Sequence, residues 1–100
     1  MRALTTVIES APLTLRELAR AVGAEDQWVV RLVEVEILHV DAPGEPPERW
    51  HFRSVDLQRA LAARRLERDF GANLDAAALI LDLQSELRRA RALMQAHGLA

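Results

Sequence analysis

A chain of 100 residues is the size of one domain with one modest core, and its formal charge of −2, from 13 basic and 15 acidic side chains, is far from the strongly basic balance that drives counterion release from nucleic acid. The absence of cysteine excludes disulfides and thiolate metal ligands. The longest apolar run, Ala76 to Leu81, stops at Asp82, well short of the roughly 20 residues a membrane-spanning helix needs. Met1 to Thr6 lacks the apolar stretch of a secretory signal, so a cytoplasmic location is expected.

Leu4 to Ile8 is β-prone and Pro12 interrupts the chain soon after, which predicts a short strand over Ala3 to Glu9. Thr14-Leu15-Arg16-Glu17 has the spacing of a capping box and opens a helix over residues 15 to 22, with Leu15, Leu18, Ala19 and Val22 on one face and Gly23 ending it. Glu25 and Asp26 then suit the positive end of a second helix, whose periodicity runs through Val29, Leu32 and Val33 to Ile37. Two short helices across a glycine-containing turn make a helix-turn-helix unit. Ile37 to Val40 and Arg49 to Phe52, separated by a proline-rich loop, predict the two strands of a wing. Ser54 is expected to cap a third helix, with Asp56 in its first turn, that runs to Phe70 and stops at Gly71. Asn73-Leu74-Asp75 opens a last helix in which Ile80, Leu83, Leu87, Ala90 and Met94 recur at alternating spacings of three and four, the pattern of a coiled-coil seam.

The fold class expected is mainly α: a winged helix-turn-helix with a short β hairpin and a long C-terminal dimerisation helix. The chain reads as one domain over 1–100, with the winged unit over 1–74 and the C-terminal helix over 75–98. No enzyme is expected, and no catalytic residue, metal or cofactor. Ser10, Ser54 and Ser85 sit where caps, turns or a helix surface account for them, and His39, His51 and His97 lack the spacing of a metal site. The four glycines are scattered and form no phosphate loop.

Taken in order, Thr14-Leu15-Arg16-Glu17-Leu18-Ala19, Gly23, Ile37-Leu38, Trp50-His51-Phe52, Asp56-Leu57-Gln58-Arg59 and Arg68-Asp69-Phe70-Gly71-Ala72-Asn73-Leu74-Asp75 resemble the N-terminal domain of MerR-type regulators. The short C-terminal extension, Trp50 and Phe52 in the wing, and the leucine-rich last helix make the chain most similar to the CbpM family of chaperone-modulatory proteins. That resemblance implies binding to the J-domain of a DnaJ-like co-chaperone (CbpA), inhibition of its activity, and a homodimer built on Ile80, Leu83, Leu87 and Met94. Two positions depart from the family pattern. The Arg-Tyr pair with which MerR regulators read DNA is replaced by Val30 and Arg31, and Glu36 stands where both families commonly have glycine.

Glu25, Asp26, Glu34 and Glu36 oppose a single Arg31 along the second helix, a local charge of −3 that repels phosphate. A solvated helix face accounts for these acids as readily as a binding face does. The resemblance assigns them the capture of the basic J-domain helix. Tryptophan serves both as a binding hot spot and as a core-filler, and by position Trp50 is expected in the core, packing the wing on the first helix, with Trp28, at the turn side of the second helix, the apolar anchor candidate. The alternative is a small MerR-type DNA-binding regulator that holds phosphates with Arg16, Arg20, Arg31, Arg49 and Arg53. A third is a dimeric module with some other protein target.

Overall fold

A computed structural model describes residues 11–98. The strand expected over Ala3 to Glu9 lies outside the described residues. Helix α1, Leu15–Val22, starts where the sequence places it, because both halves of the capping box form. The Glu17 amide donates to Thr14 Oγ1 at 3.1 Å and the Thr14 amide donates to Glu17 Oε1 at 2.9 Å, so two amides that open the helix are satisfied. At its other end Gly23 takes a left-handed conformation with φ 70°, and the Ala24 amide donates back to the Ala19 carbonyl.

Helix α2, Asp26–Glu34, is shorter than its periodicity suggests. Val35 caps it and Glu36 comes next at φ 64°, the left-handed region that non-glycine residues rarely enter. The Glu36 amide donates to the Val33 carbonyl and the Ile37 amide to the Leu32 carbonyl at 2.8 Å, the paired bonds of a Schellman motif. Leu32 and Ile37, the two residues that such a motif brings into apolar contact, are both fully buried.

That motif explains why Ile37–Val40 forms no strand. The amides of Ile37 and Leu38 are turned back onto the Leu32 carbonyl, and the Ile37 carbonyl accepts from Arg59 Nε, so these groups are unavailable to a ladder. The antiparallel pair instead joins β1, Leu13–Thr14, to β2, His51–Phe52, with Leu13 opposite Phe52 and Thr14 opposite His51. Residues 41–50 form the loop of the wing and close with a 3-10 turn at Pro47–Arg49. Trp50 is buried as expected, its indole N–H donating to the Ala42 carbonyl at 3.3 Å.

Helix α3, Ser54–Phe70, begins one residue earlier than a Ser54 cap would allow. Arg53 is the cap and Ser54 the first helical residue, since the Asp56 carboxylate accepts from the Arg53 amide at 2.8 Å and sets the start three residues upstream of itself. Gly71, at φ 66°, ends the helix. Asn73 caps α4, Leu74–Ala96, by accepting from the Ala76 amide at 2.8 Å.

The result is a mainly α winged helix-turn-helix, with four α-helices and a two-stranded antiparallel pair among the described residues. Its core joins Leu15, Leu18 and Val22 of α1 to Val29 and Leu32 of α2, Ile37, Leu38, Trp50 and Phe52, and the small faces of α3 and α4. The burial of α4 is confined to Leu74, Ala77 and Leu81, so the rest of this helix runs beyond the body of the domain.

Glu36→Gly is expected to stabilise the fold by about 0.5–1 kcal/mol. The left-handed conformation costs an L-residue roughly 1–2 kcal/mol, of which glycine's greater unfolded-state freedom takes back part. The readout is the urea midpoint; an unchanged or lowered midpoint would show that Glu36 is not strained.

Candidate functional site

The outward side of the helix-turn-helix is set by α2, which buries Val29 and Leu32 and leaves Gln27, Arg31 and Glu34 exposed. The four acids of this segment do not form one cluster. Glu25 and Asp26 stand at the N-terminal end of α2, and Glu34 and Glu36 at its C-terminal end, about 13 Å away at the rise of an α-helix. Nor are they equally available. Asp26 pairs with Arg16 at 3.5 Å, whereas among the described residues Glu25, Glu34 and Glu36 have no basic partner within bridging distance.

The two ends also differ energetically. Carboxylates at the N-terminus of α2 complement its dipole, while Glu34, the last helical residue, lies where the dipole is negative and a carboxylate is disfavoured. Glu36 adds a backbone cost. The C-terminal pair of acids therefore stands where local electrostatics disfavours Glu34 and local conformation disfavours Glu36.

Trp28 is half-buried and held in place. Its indole N–H donates to Glu67 Oε1 at 3.0 Å across to α3, and the Arg64 guanidinium lies over its ring, 5.6 Å from the centroid. Arg64 in turn donates to the Gly23 carbonyl at 2.9 Å, which ties the turn of the helix-turn-helix to α3. Around this clasp lies an open notch lined by Gly23, Ala24, Glu25, Trp28 and Arg64. What Trp28 can offer a partner is apolar area, since its one polar group is already taken. Arg64 and Glu67 escape a reading of the sequence alone. Their three-residue spacing puts them on one face of α3, but nothing local names Trp28 as what that face meets.

The expected dimer seam is open to solvent. Leu83, Leu87 and Met94 are 56%, 52% and 44% exposed, and Ile80 is half-buried. Leu79 and Leu93 extend the apolar stripe. Five large exposed apolar side chains on one helix of a domain this small are more than scattered surface hydrophobics explain.

Of the arginines considered for phosphate contact, Arg16 is paired with Asp26 and Arg49 with Glu45 at 3.7 Å, which leaves Arg20, Arg31 and Arg53 unpaired among the described residues. No described helix is long and apolar enough to cross a membrane. Among the described residues no three histidine or carboxylate side chains come together as a metal-binding group.

A family model described as MerR HTH family regulatory protein matches residues 13–96, more than four fifths of the chain. No solved structure matches it.

Proposed function

The chain belongs to the MerR helix-turn-helix family of regulatory proteins, and within that family we propose that it is a chaperone modulator that binds the J-domain of a DnaJ-like co-chaperone and inhibits it. The observation that carries this reading is the charge on α2. Where a DNA-reading helix would present arginine, α2 and the residues flanking it expose Glu25, Glu34 and Glu36 around one Arg31, with acids at both ends. Such a surface repels phosphate and attracts a basic helix, and its field speeds encounter with that helix. The strained Glu36 supports the same reading, because glycine there would be better for the fold and worse for a basic partner. Trp28, held by Glu67 and Arg64, supplies a preorganised apolar edge beside Glu25.

The molecule works as a homodimer paired through Ile80, Leu83, Leu87 and Met94. A projecting helix with an uncovered apolar stripe at heptad spacing gains most by pairing with a second copy of itself.

The second reading, a DNA-binding regulator of MerR type, is favoured by the family match and by the unpaired Arg20, Arg31 and Arg53. One pair of assays separates the two. In the first, purified protein is added to Hsp70 and its co-chaperone, and loss of the co-chaperone's stimulation of ATP hydrolysis is expected. In the second, duplex DNA is offered at low salt, where phosphate contacts are strongest, and no shift is expected. Undiminished ATPase stimulation together with a DNA shift would replace the first reading by the second.

A further inference from the structure

We propose that the cleft between α3 and α4 is a second interaction surface, which takes an acidic amphipathic helix of a partner protein. The cleft has a volume of about 480 Å³. Leu81 and Ala62 form its apolar floor, Val55 stands at its lip with 61% of its surface exposed, and Arg59 and Arg88 flank it. A cleft of this shape between two helices suits helix-in-groove recognition, with apolar anchors in the groove and charges at its edge.

Charge selects the occupant. None of the eight residues lining the cleft is acidic. Arg59 is already satisfied, its Nε donating to the Ile37 carbonyl and its Nη2 to Asp82 at 2.9 Å. Arg88 is not: its one hydrogen bond is to the Ser85 hydroxyl at 3.3 Å, and no carboxylate lies within 4 Å of it among the described residues. Arg89 and Arg91 come next, and no acid occurs in α4 after Glu86. A basic helix is repelled here and an acidic one attracted, the reverse of the preference on α2. The apolar floor, unlike a phosphate-binding surface, calls for leucine-like side chains between the acids.

The cleft is also separate from the dimer seam. At 3.6 residues per turn, Leu81, Ser85 and Arg88 lie on one side of α4, and Leu83, Leu87 and Met94 lie well round towards the other. A second copy paired through the seam would meet the opposite side of α4, with Ile80 and Gln84 at the border between the two faces.

The test uses the full chain and a fluorescein-labelled amphipathic peptide of about four helical turns, with leucines at i, i+4 spacing flanked by glutamates, and a counterpart carrying lysines instead. Fluorescence anisotropy, on a Glu25→Gln, Glu34→Gln, Glu36→Gln background that removes the exposed acids of α2 and its flanks, is expected to show binding of the glutamate peptide and none of the lysine peptide. Arg88→Glu and Val55→Glu should each weaken the glutamate peptide about tenfold, and Arg88→Glu should gain affinity for the lysine peptide. Both residues are exposed, so the variants should keep the parent's far-UV circular dichroism and sedimentation. No binding of the glutamate peptide, equal binding of the two peptides, or indifference to both substitutions would overturn the proposal. So would displacement of the peptide by a duplex oligonucleotide whose own binding depends on Arg88, since the face would then be a phosphate site.

Discussion

Replacement of Phe52 by alanine is expected to cost about 3–5 kcal/mol, enough to leave the domain close to unfolding under native conditions. Phe52 is fully buried and is among the largest side chains in the core. Its backbone pairs with Leu13, and its side chain belongs to the cluster that includes Leu18 of α1, Leu32 of α2 and Ala60 of α3. These elements are fixed around it, so the cavity left by truncation cannot collapse. A domain of this size has roughly 5–15 kcal/mol of stability in all. The adjoining His51 is exposed, and His51→Ala is the control, expected to change stability by less than about 0.5 kcal/mol. Urea unfolding monitored by circular dichroism reads both. A Phe52→Ala midpoint close to the parent's would mean that β2 does not hold the wing onto the helices.

The second large effect concerns assembly. Leu83→Glu combined with Leu87→Glu is expected to convert a dimer into a monomer in sedimentation equilibrium. Both leucines are about half exposed within the protomer, so their loss removes little from its own core. Glutamate is also a good helix former, so helix propensity does not oppose the change. Placed in an apolar seam, the two glutamates repel one another one turn apart, and the one at position 83 has no basic residue at i+3 or i+4, so pairing the seam buries unpaired charge at a cost of several kcal/mol. Retained urea stability of the Phe52 core with a halved mass would assign the leucines to the interface. A parent protein that is already monomeric at high concentration would contradict the proposed dimer.

What is legible in the sequence is mostly local. Thr14 with Glu17, Gly23, Gly71 and Asn73 act on groups within a few residues of themselves, and each ends or opens a helix where its chemistry requires. Glu36 is legible through resemblance, as the residue in a glycine position, and it does take the left-handed conformation. The strand expected at Ile37–Val40 does not form because an apolar run with β-branched residues has the same composition whether it joins a ladder or folds back on a helix end. The Schellman motif that decides the matter is a backbone pattern, and glutamate in place of glycine conceals it. Pairing of Leu13 with Phe52 joins residues far apart in sequence, and no periodicity encodes such a partner.

The site is legible in charge and not in arrangement. Counting acids along α2 treats Asp26 as equal to Glu34, yet Arg16 pairs with the first and, among the described residues, no basic side chain pairs with the second. Trp28 stands out in the sequence as an aromatic residue near the turn, but its fixed orientation comes from Glu67 and Arg64, some 40 residues away along the chain.

The most direct test of the proposed function is a titration of the isolated J-domain with the parent protein and with a Glu34→Lys, Glu36→Lys double variant at low and moderate salt. Both side chains are exposed and neither contributes to the core, so the variant should fold. If α2 captures a basic helix, the parent binds and its affinity falls as salt rises, while the variant associates at least about tenfold more slowly and loses most of that salt dependence. A parent that does not bind the J-domain, or a double variant that binds it at the parent's rate with the parent's salt dependence, would contradict the assignment of this face.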